Sequence, residues 1–389
     1  MDKIRLGIIG FGNQGGAYSE LLQAGRVKNM ELGAICDISP EKRRLAQEKY
    51  PEVPFFEDYI EMIESGTVNA VVTTVPHYLH PEMGMEAIKR DMPVICEKPA
   101  GVYTKQVIEL NELALSKPQV PFAIMFNQRS NPLYIEIKKI MDSKEIGELR
   151  RTNWISTNWW RPQSYYDQSS WRATWGAEGG GVLVNQAPHQ LDLIQWLCGQ
   201  PTEVYADIIC GCHRDIAVEN EVTAVMNYEN GATGVFTTCT HDVMGTDRLE
   251  IVGDKGKIVI EDSKRAIVRI LKESEPYMNE HYTMMEIERL VRGDGTSTAE
   301  LYTERIIEFD SVWGGQHCSV LENFADHILT GTPLLAPGTD GIQGVQLANA
   351  MILSGWQKKK VSYNFDADEF IEELNKHIAK EGIYPLINN

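Results

Sequence analysis

The segment 179–196, GGGVLVNQAPHQLDLIQW, places Asn185, His189 and Asp192 at i, i+4 and i+7, the spacing of one polar stripe along an otherwise apolar helix. Groups of these types on one face can orient, accept and return a proton. Pro188 lacks an N–H, so the helix either starts near Asn185 or bends there. His189 then lies near a helix start, where the dipole favours the neutral imidazole that accepts a proton. Taken alone, the segment is explained more simply by a core histidine satisfied by Asn185 and Asp192. The first third of the chain changes that balance.

A short apolar strand, Ile4 to Ile9, runs into Gly10-Phe11-Gly12-Asn13-Gln14-Gly15 and then a helical pattern. Glycines at this spacing permit a tight turn, close approach of a pyrophosphate to backbone N–H groups, and close packing of helix on strand. The next strand ends in Asp37, where a carboxylate accepts from an adenosine ribose 2′-OH and repels a 2′-phosphate. The expected cofactor is therefore NAD rather than NADP, although Arg43 and Arg44 are close in sequence. Strands and helices keep alternating to Phe126, which predicts a parallel sheet with its ligand at the carboxyl ends of the strands. Two of those ends carry chemistry. Pro76, His77 and His80 follow one, with His80 expected to cap a helix whose first residue is Pro81; Glu97-Lys98-Pro99 follows another. A lysine beside a nicotinamide site can hold a substrate hydroxyl and stabilise a developing alkoxide.

These residues have elements to position them. At 389 residues the chain is long enough for two domains, with 43% hydrophobic and 24% charged residues. Its 55 acidic against 37 basic residues, net −18, argue against nucleic-acid or anionic-membrane partners. No apolar run reaches spanning length, and the N-terminus enters a strand pattern without a leader-like segment. Seven scattered cysteines without CxxC pairs suggest reduced thiols in a cytoplasm. No histidine lies in an HExxH motif, and no metal is expected in the chemistry.

The chain resembles the Gfo/Idh/MocA family of oxidoreductases, through GFGNQG with Asp37, the EKP at 97–99 and the GGG…NQAPHQLD segment. The run at 337–354 also looks like that family's late helix. The resemblance implies a Rossmann domain, here 1–127, and an α+β domain with a large open antiparallel sheet, here 128–389, whose C-terminal helices pack back. It also implies hydride transfer between a nicotinamide cofactor and a hydroxyl of a sugar, cyclitol or glycoside. Carried over by position, Lys98 looks like the family's catalytic lysine and His189 like its proton-transferring histidine. The family usually has Asp where this chain has Asn185, and Asn where it has His77. An amide orients a hydroxyl or imidazole but takes no proton.

From Glu148 the pattern predicts antiparallel strands separated by turns such as Glu229-Asn230-Gly231. Helix 185–197 is expected on one face of that sheet, and the family resemblance suggests homo-oligomerisation through the other. Residues 153–175 hold five of the eight tryptophans. No period fits the middle of the stretch, so a loop folding over a ligand is expected. Its aromatic faces, interleaved with Arg and amide groups, suit a carbohydrate-like substrate. Trp160, Arg161, Tyr166 and Trp175 are candidate substrate contacts with Lys98, Asn185 and His189, and Trp154 is assigned to the interior. A bulky glycoside fits such a loop. His317 is read as a helix-start histidine without catalytic duty. Two rival readings are a glycosidase that uses NAD transiently, by oxidation and elimination, and a nucleotide-sensing regulatory protein on the same fold.

Overall fold

The computed structural model describes residues 3–292, 301–310 and 314–387. The N-terminal part is a six-stranded parallel sheet of β1 (Ile4–Ile9), β2 (Met30–Cys36), β3 (Phe55–Phe56), β4 (Ala70–Thr73), β5 (Val94–Cys96) and β6 (Phe122–Ile124), in the order β3-β2-β1-β4-β5-β6. Each residue of β4 is buried, as befits a strand covered by helices on both faces. The order reverses between β1 and β4, whose chain direction opens a crevice at their carboxyl ends. Helix Asn13–Gln23 follows β1 directly. Pro40–Lys49 and Tyr59–Glu64 begin on Ser39 and Asp58, whose side chains accept from first-turn N–H groups. The two-residue β3, absent from the sequence reading, is too short to show a period.

The second sheet holds β7 (Leu149–Ser156), β8 (Glu203–Cys210), β9 (Glu219–Asn227), β10 (Thr233–Cys239), β11 (Asp247–Gly253), β12 (Gly256–Glu261), β13 (Arg265–Leu271), β14 (Tyr302–Glu308) and β15 (Val361–Ser362). Its order is β14-β13-β12-β11-β7-β10-β9-β8-β15. The sheet is mixed: β7 and β10 run parallel at its centre and the other pairs are antiparallel. Alternation places Ala224, Met226 and Phe236 on the covered face, and Tyr205, Val225 and Thr223 on the open one.

The covered face receives helices Pro188–Cys198 and Gly341–Gln357. The latter also ties the two sheets together, because Asn349 accepts from Thr104 N and Oγ1 and donates to Val102 O. Helix Gly315–Thr330 returns to the first sheet, where Cys318, Leu321 and Phe324 pack with Ile4, Leu6, Ile8 and Tyr18. Among the described residues, no helix is long and apolar enough to cross a membrane.

Candidate active site

A cleft of about 810 Å³ runs from Gly10, Gly12, Asn13 and Gln14 past Asp37 and Thr74 to Lys98 and Asn185. At its first end, Gly12 caps helix Asn13–Gln23 with no side-chain acceptor, so the first-turn N–H groups are left for a ligand. A Cβ on Gly12 would meet open space, whereas one on Gly15 would fall 2.0 Å from Gly10 O. Gly12 thus lets the backbone face the cleft and Gly15 lets helix and strand touch. Phe11, expected at the cofactor with the rest of the glycine turn, is not among the residues lining the cleft. Its ring is buried against Tyr50, and its N–H donates to Asp37 Oδ2 at 2.7 Å. With Ser39 N on Oδ1 at 2.8 Å, this bond fixes the Asp37 carboxylate at the cleft wall. Arg43 is paired with Glu57.

Pro76, His77 and His80 lie at the carboxyl end of β4 and line the cleft. The helix there is Leu79–Lys89, begun by Tyr78, so His80 sits inside its first turn rather than capping it. The buried His80 ring contacts Pro99 O at 2.7 Å and Val75 O at 2.8 Å, joining the two strand-end loops. Glu97 is buried, accepts from Tyr18 OH and from Lys98 N, and thereby holds the turn that carries Lys98. Lys98 Nζ donates to Asn185 O at 2.9 Å. Burial pulls the Lys98 amine below the usual lysine range, while Glu97 and Glu178 oppose the shift.

The expected stripe 185/189/192 does not exist. The helix starts at Pro188, so Asn185 belongs to the preceding turn, and its amide donates to Glu178 Oε1. Asp192 is turned away to the buried Arg129, which donates to it at 2.6 and 3.0 Å and to Asp340 at 2.6 Å. Burial raises Asp192 to about 6 despite Arg129. It anchors the helix, and the histidine has no carboxylate relay through it. His189 Nδ1 is buried without a hydrogen-bond partner among the described residues. Burial first, then the charges of Lys98 and His317, hold His189 well below the usual histidine range. His317 contacts Asn127 and is pushed down to about 4 by burial and Lys98. It therefore stands within electrostatic reach of His189, closer to the chemistry than a helix-start position implies.

The aromatic loop delivers different residues from those expected. Trp175 is a core residue: 2% exposed, packed on Trp356 and His377, with Nε1 donating to Ala217 O. Tyr166 is buried with its hydroxyl on Thr240 Oγ1 at 2.8 Å. Trp160 is exposed and outside the cleft wall; Arg161, half-buried, is also outside it, stacks on Tyr165 and acts on Lys98 only through its charge. The residues that face the cleft are Tyr165, Gln168, Ser169, Trp171 and Arg172. Arg172 lies over Tyr165 and Trp171 and donates to Tyr165 OH at 2.6 Å. Trp154 is interior.

Glu178 escaped the sequence reading. It is 2% exposed, accepts from Ala173 N and Asn185 Nδ2, and lies 3.7 Å from Arg172. His77 shares this corner, with Nδ1 at 2.9 Å from Glu178 O and its ring edge-on to Trp171. Glu178 thus sets a carboxylate directly behind the Asn185 amide; burial raises its pKa, while Ala173 N, Asn185, Arg172 and Lys98 favour its charged form. The turn is held by glycines for a steric reason. A Cβ on Gly181 would lie 1.9 Å from Glu219 O, and Gly179 has φ +87° with Val102 against it. Gly181→Ala is expected to cost about 3 kcal/mol by forcing this packing apart. Denaturant melts measure the loss, and an unchanged midpoint would contradict the close contact.

Two family models fall on the two sheets. One, described as "Oxidoreductase family, NAD-binding Rossmann fold", matches residues 4–124, and the other, "GFO/IDH/MocA C-terminal domain", matches residues 134–259. The chain belongs to the Gfo/Idh/MocA oxidoreductase family. Its N-terminal part is therefore an NAD-binding Rossmann domain, and the uncapped helix start, open glycine turn and fixed Asp37 carboxylate fit that cofactor. Two relatives resemble it along nearly their full length. The uncharacterised oxidoreductase YrbE of Bacillus subtilis (strain 168) is 25% identical over 353 residues, 90% of this chain and 93% of its own. The myo-inositol 2-dehydrogenase of Thermotoga maritima is 24% identical over 363 residues, 92% of this chain and 98% of its own. The fold matches that of the WlbA dehydrogenase from Bordetella pertussis in complex with NADH and UDP-GlcNAcA, with TM-score 0.74 and 23% identity over 94% of this chain and 100% of that one. It also matches a levoglucosan dehydrogenase bound to NADH, with TM-score 0.77 and 19% identity over the same shares.

Proposed function

We propose that this protein oxidises a secondary hydroxyl of a sugar, cyclitol or glycoside. The observation that carries this reading is Lys98 Nζ on Asn185 O at the inner end of the nucleotide cleft, with His189, which is not itself among the residues lining the cleft, kept neutral by burial and by the nearby Lys98 charge. When bound, NAD supplies the hydride acceptor. His189 removes the hydroxyl proton; its lowered pKa leaves the imidazole unprotonated, and so able to accept, at neutral pH. Lys98 stabilises the alkoxide that forms. Asn185 and Glu178 hold the lysine and the substrate hydroxyl in register. Tyr165, Trp171 and Arg172 offer stacking faces and donors to the rest of the ring.

The first test is to denature the purified protein, identify any released nucleotide, and follow NADH absorbance with added NAD across sugars, cyclitols and glycosides. Turnover with one of these classes supports the reading. Absence of both NADH formation and the reverse reaction across the whole panel overturns it. Within this reading NAD is preferred to NADP, because a 2′-phosphate would face Asp37. Asp37→Asn keeps an acceptor oxygen and removes the charge. It is expected to raise the NADP-to-NAD ratio of kcat/KM about tenfold, the scale of one charge-assisted hydrogen bond.

Glu178 acts here as a positioning residue. Glu178→Gln removes a negative charge that raises the Lys98 pKa, so the ammonium is lost at lower pH. The alkaline limb of the kcat/KM profile should move to lower pH, and a limb that stays in place would assign Glu178 to packing alone. Self-association belongs to the same reading. On the open sheet face Tyr205, Val225 and Val235 form one cross-strand row with half-exposed apolar side chains. Light scattering gives the mass in solution, and Val225→Lys should lower it.

A further inference from the structure

We propose that Glu221, Cys239 and His241 form a zinc-type metal site at the end of the second sheet, outside the nucleotide cleft. Register places Glu221 of β9 directly across from Cys239 of β10, so both side chains leave the open face side by side. His241, two residues further on, comes to the same face by alternation. The three ligand atoms lie within 4.8 Å of one another, and His241 Nε2 is 2.7 Å from Glu221 Oε2. Tetrahedral zinc with S, N and O ligands separates them by about 3.3–3.8 Å, so closure requires side-chain shifts on the order of 1 Å. A thiolate, a carboxylate and an imidazole neutralise a divalent cation, and the thiolate selects a soft or borderline metal over magnesium or calcium.

The surroundings are built for such an occupant. Cys239 is 3% exposed, whereas Glu221 and His241 retain 26% and 23% side-chain exposure, so the cluster has a dry floor and an open mouth for a water ligand. His213 stands edge-on to His241 with ring centroids 5.1 Å apart.

The site has a consequence for the cleft. Thr240, between Cys239 and His241, points to the opposite side and holds the aromatic loop: its O accepts from Arg161 N at 2.8 Å and its Oγ1 from Tyr166 OH at 2.8 Å. A metal gripping the residues on either side of Thr240 fixes the anchor from which Tyr165, Trp171 and Arg172 reach the cleft. It is a structural clamp and takes no part in proton or hydride transfer.

The test is a Co²⁺ titration of chelator-treated protein kept reduced with a non-thiol phosphine. One Co²⁺ per chain is expected, with a near-ultraviolet thiolate charge-transfer band that Zn²⁺ displaces. Cys239→Ser should abolish the band with an unchanged circular dichroism spectrum, and His241→Ala and Glu221→Gln should each weaken binding at least about tenfold. Zn²⁺ should raise the melting temperature of the parent protein and not of the Cys239→Ser variant. No stoichiometric binding overturns the proposal. So does a thiolate band that survives Cys239→Ser, since it puts the metal on another of the seven cysteines.

Discussion

Lys98→Met is expected to lower kcat about 10²–10³-fold, the loss seen when one preorganised donor to a developing oxyanion is removed. Methionine keeps most of the stem volume, so NAD affinity, followed by quenching of tryptophan fluorescence, should change little. Lys98 is well placed for this role. Its turn is held by the bond from Lys98 N to Glu97 and by the burial of that carboxylate against Tyr18. Its ammonium is directed across the cleft to Asn185 O, so the charge is oriented before substrate arrives. Because burial lowers the pKa of Lys98, the ammonium is lost at a pH below that of an ordinary lysine. The parent rate should therefore fall on the alkaline side, and Lys98→Met should lack that limb. A variant within threefold of the parent kcat would remove Lys98 from the mechanism.

His189→Ala is the second large effect, about 10²–10⁴-fold in kcat, the range for loss of a general base. Burial, Lys98 and His317 all lower its pKa. The imidazole is therefore neutral at pH 7, and the oxidation rate should decline only as pH falls towards its depressed value. Removing one cause should move that limb. In Lys98→Met the cation is gone, the His189 pKa rises, and the acidic limb of the residual activity should appear at higher pH. Added imidazole should restore part of the rate of His189→Ala, as a freely diffusing base entering the vacated space. If the Ala variant keeps the parent rate and pH profile, the proton goes elsewhere, and His77 is then the next candidate in the cleft wall.

Both effects are specific to chemistry, whereas Asp192 and Arg129 belong to stability. That pair is almost fully buried, and breaking it leaves an unpaired charge. The distinction was not visible in the spacing of Asn185, His189 and Asp192. Spacing along a chain predicts a shared face only if one helix spans all three residues, and Pro188 begins the helix after the first of them.

What the sequence by itself determined is local. The apolar run Ile4–Ile9, the glycine turn and the helix after it follow from backbone sterics within about 20 residues, as do the strand ends bearing Asp37 and Lys98. The hairpin turns and alternating strands of β8 to β13 are legible for the same reason, since a two-residue period is written in neighbours. The tertiary structure decided what depends on distant partners. Trp175 and Tyr166 differ little in type from Trp171 and Tyr165, yet the first two are drawn inward by Trp356 and Thr240, far away in the chain. Glu178 becomes part of the site because Asn185, Ala173 and Arg172 converge on it, and Asp192 leaves the site because Arg129 meets it from 63 residues away. A side chain's type is a local property, but the direction it faces is set by which buried polar and apolar groups the fold brings within reach, and those contacts have no period along the chain.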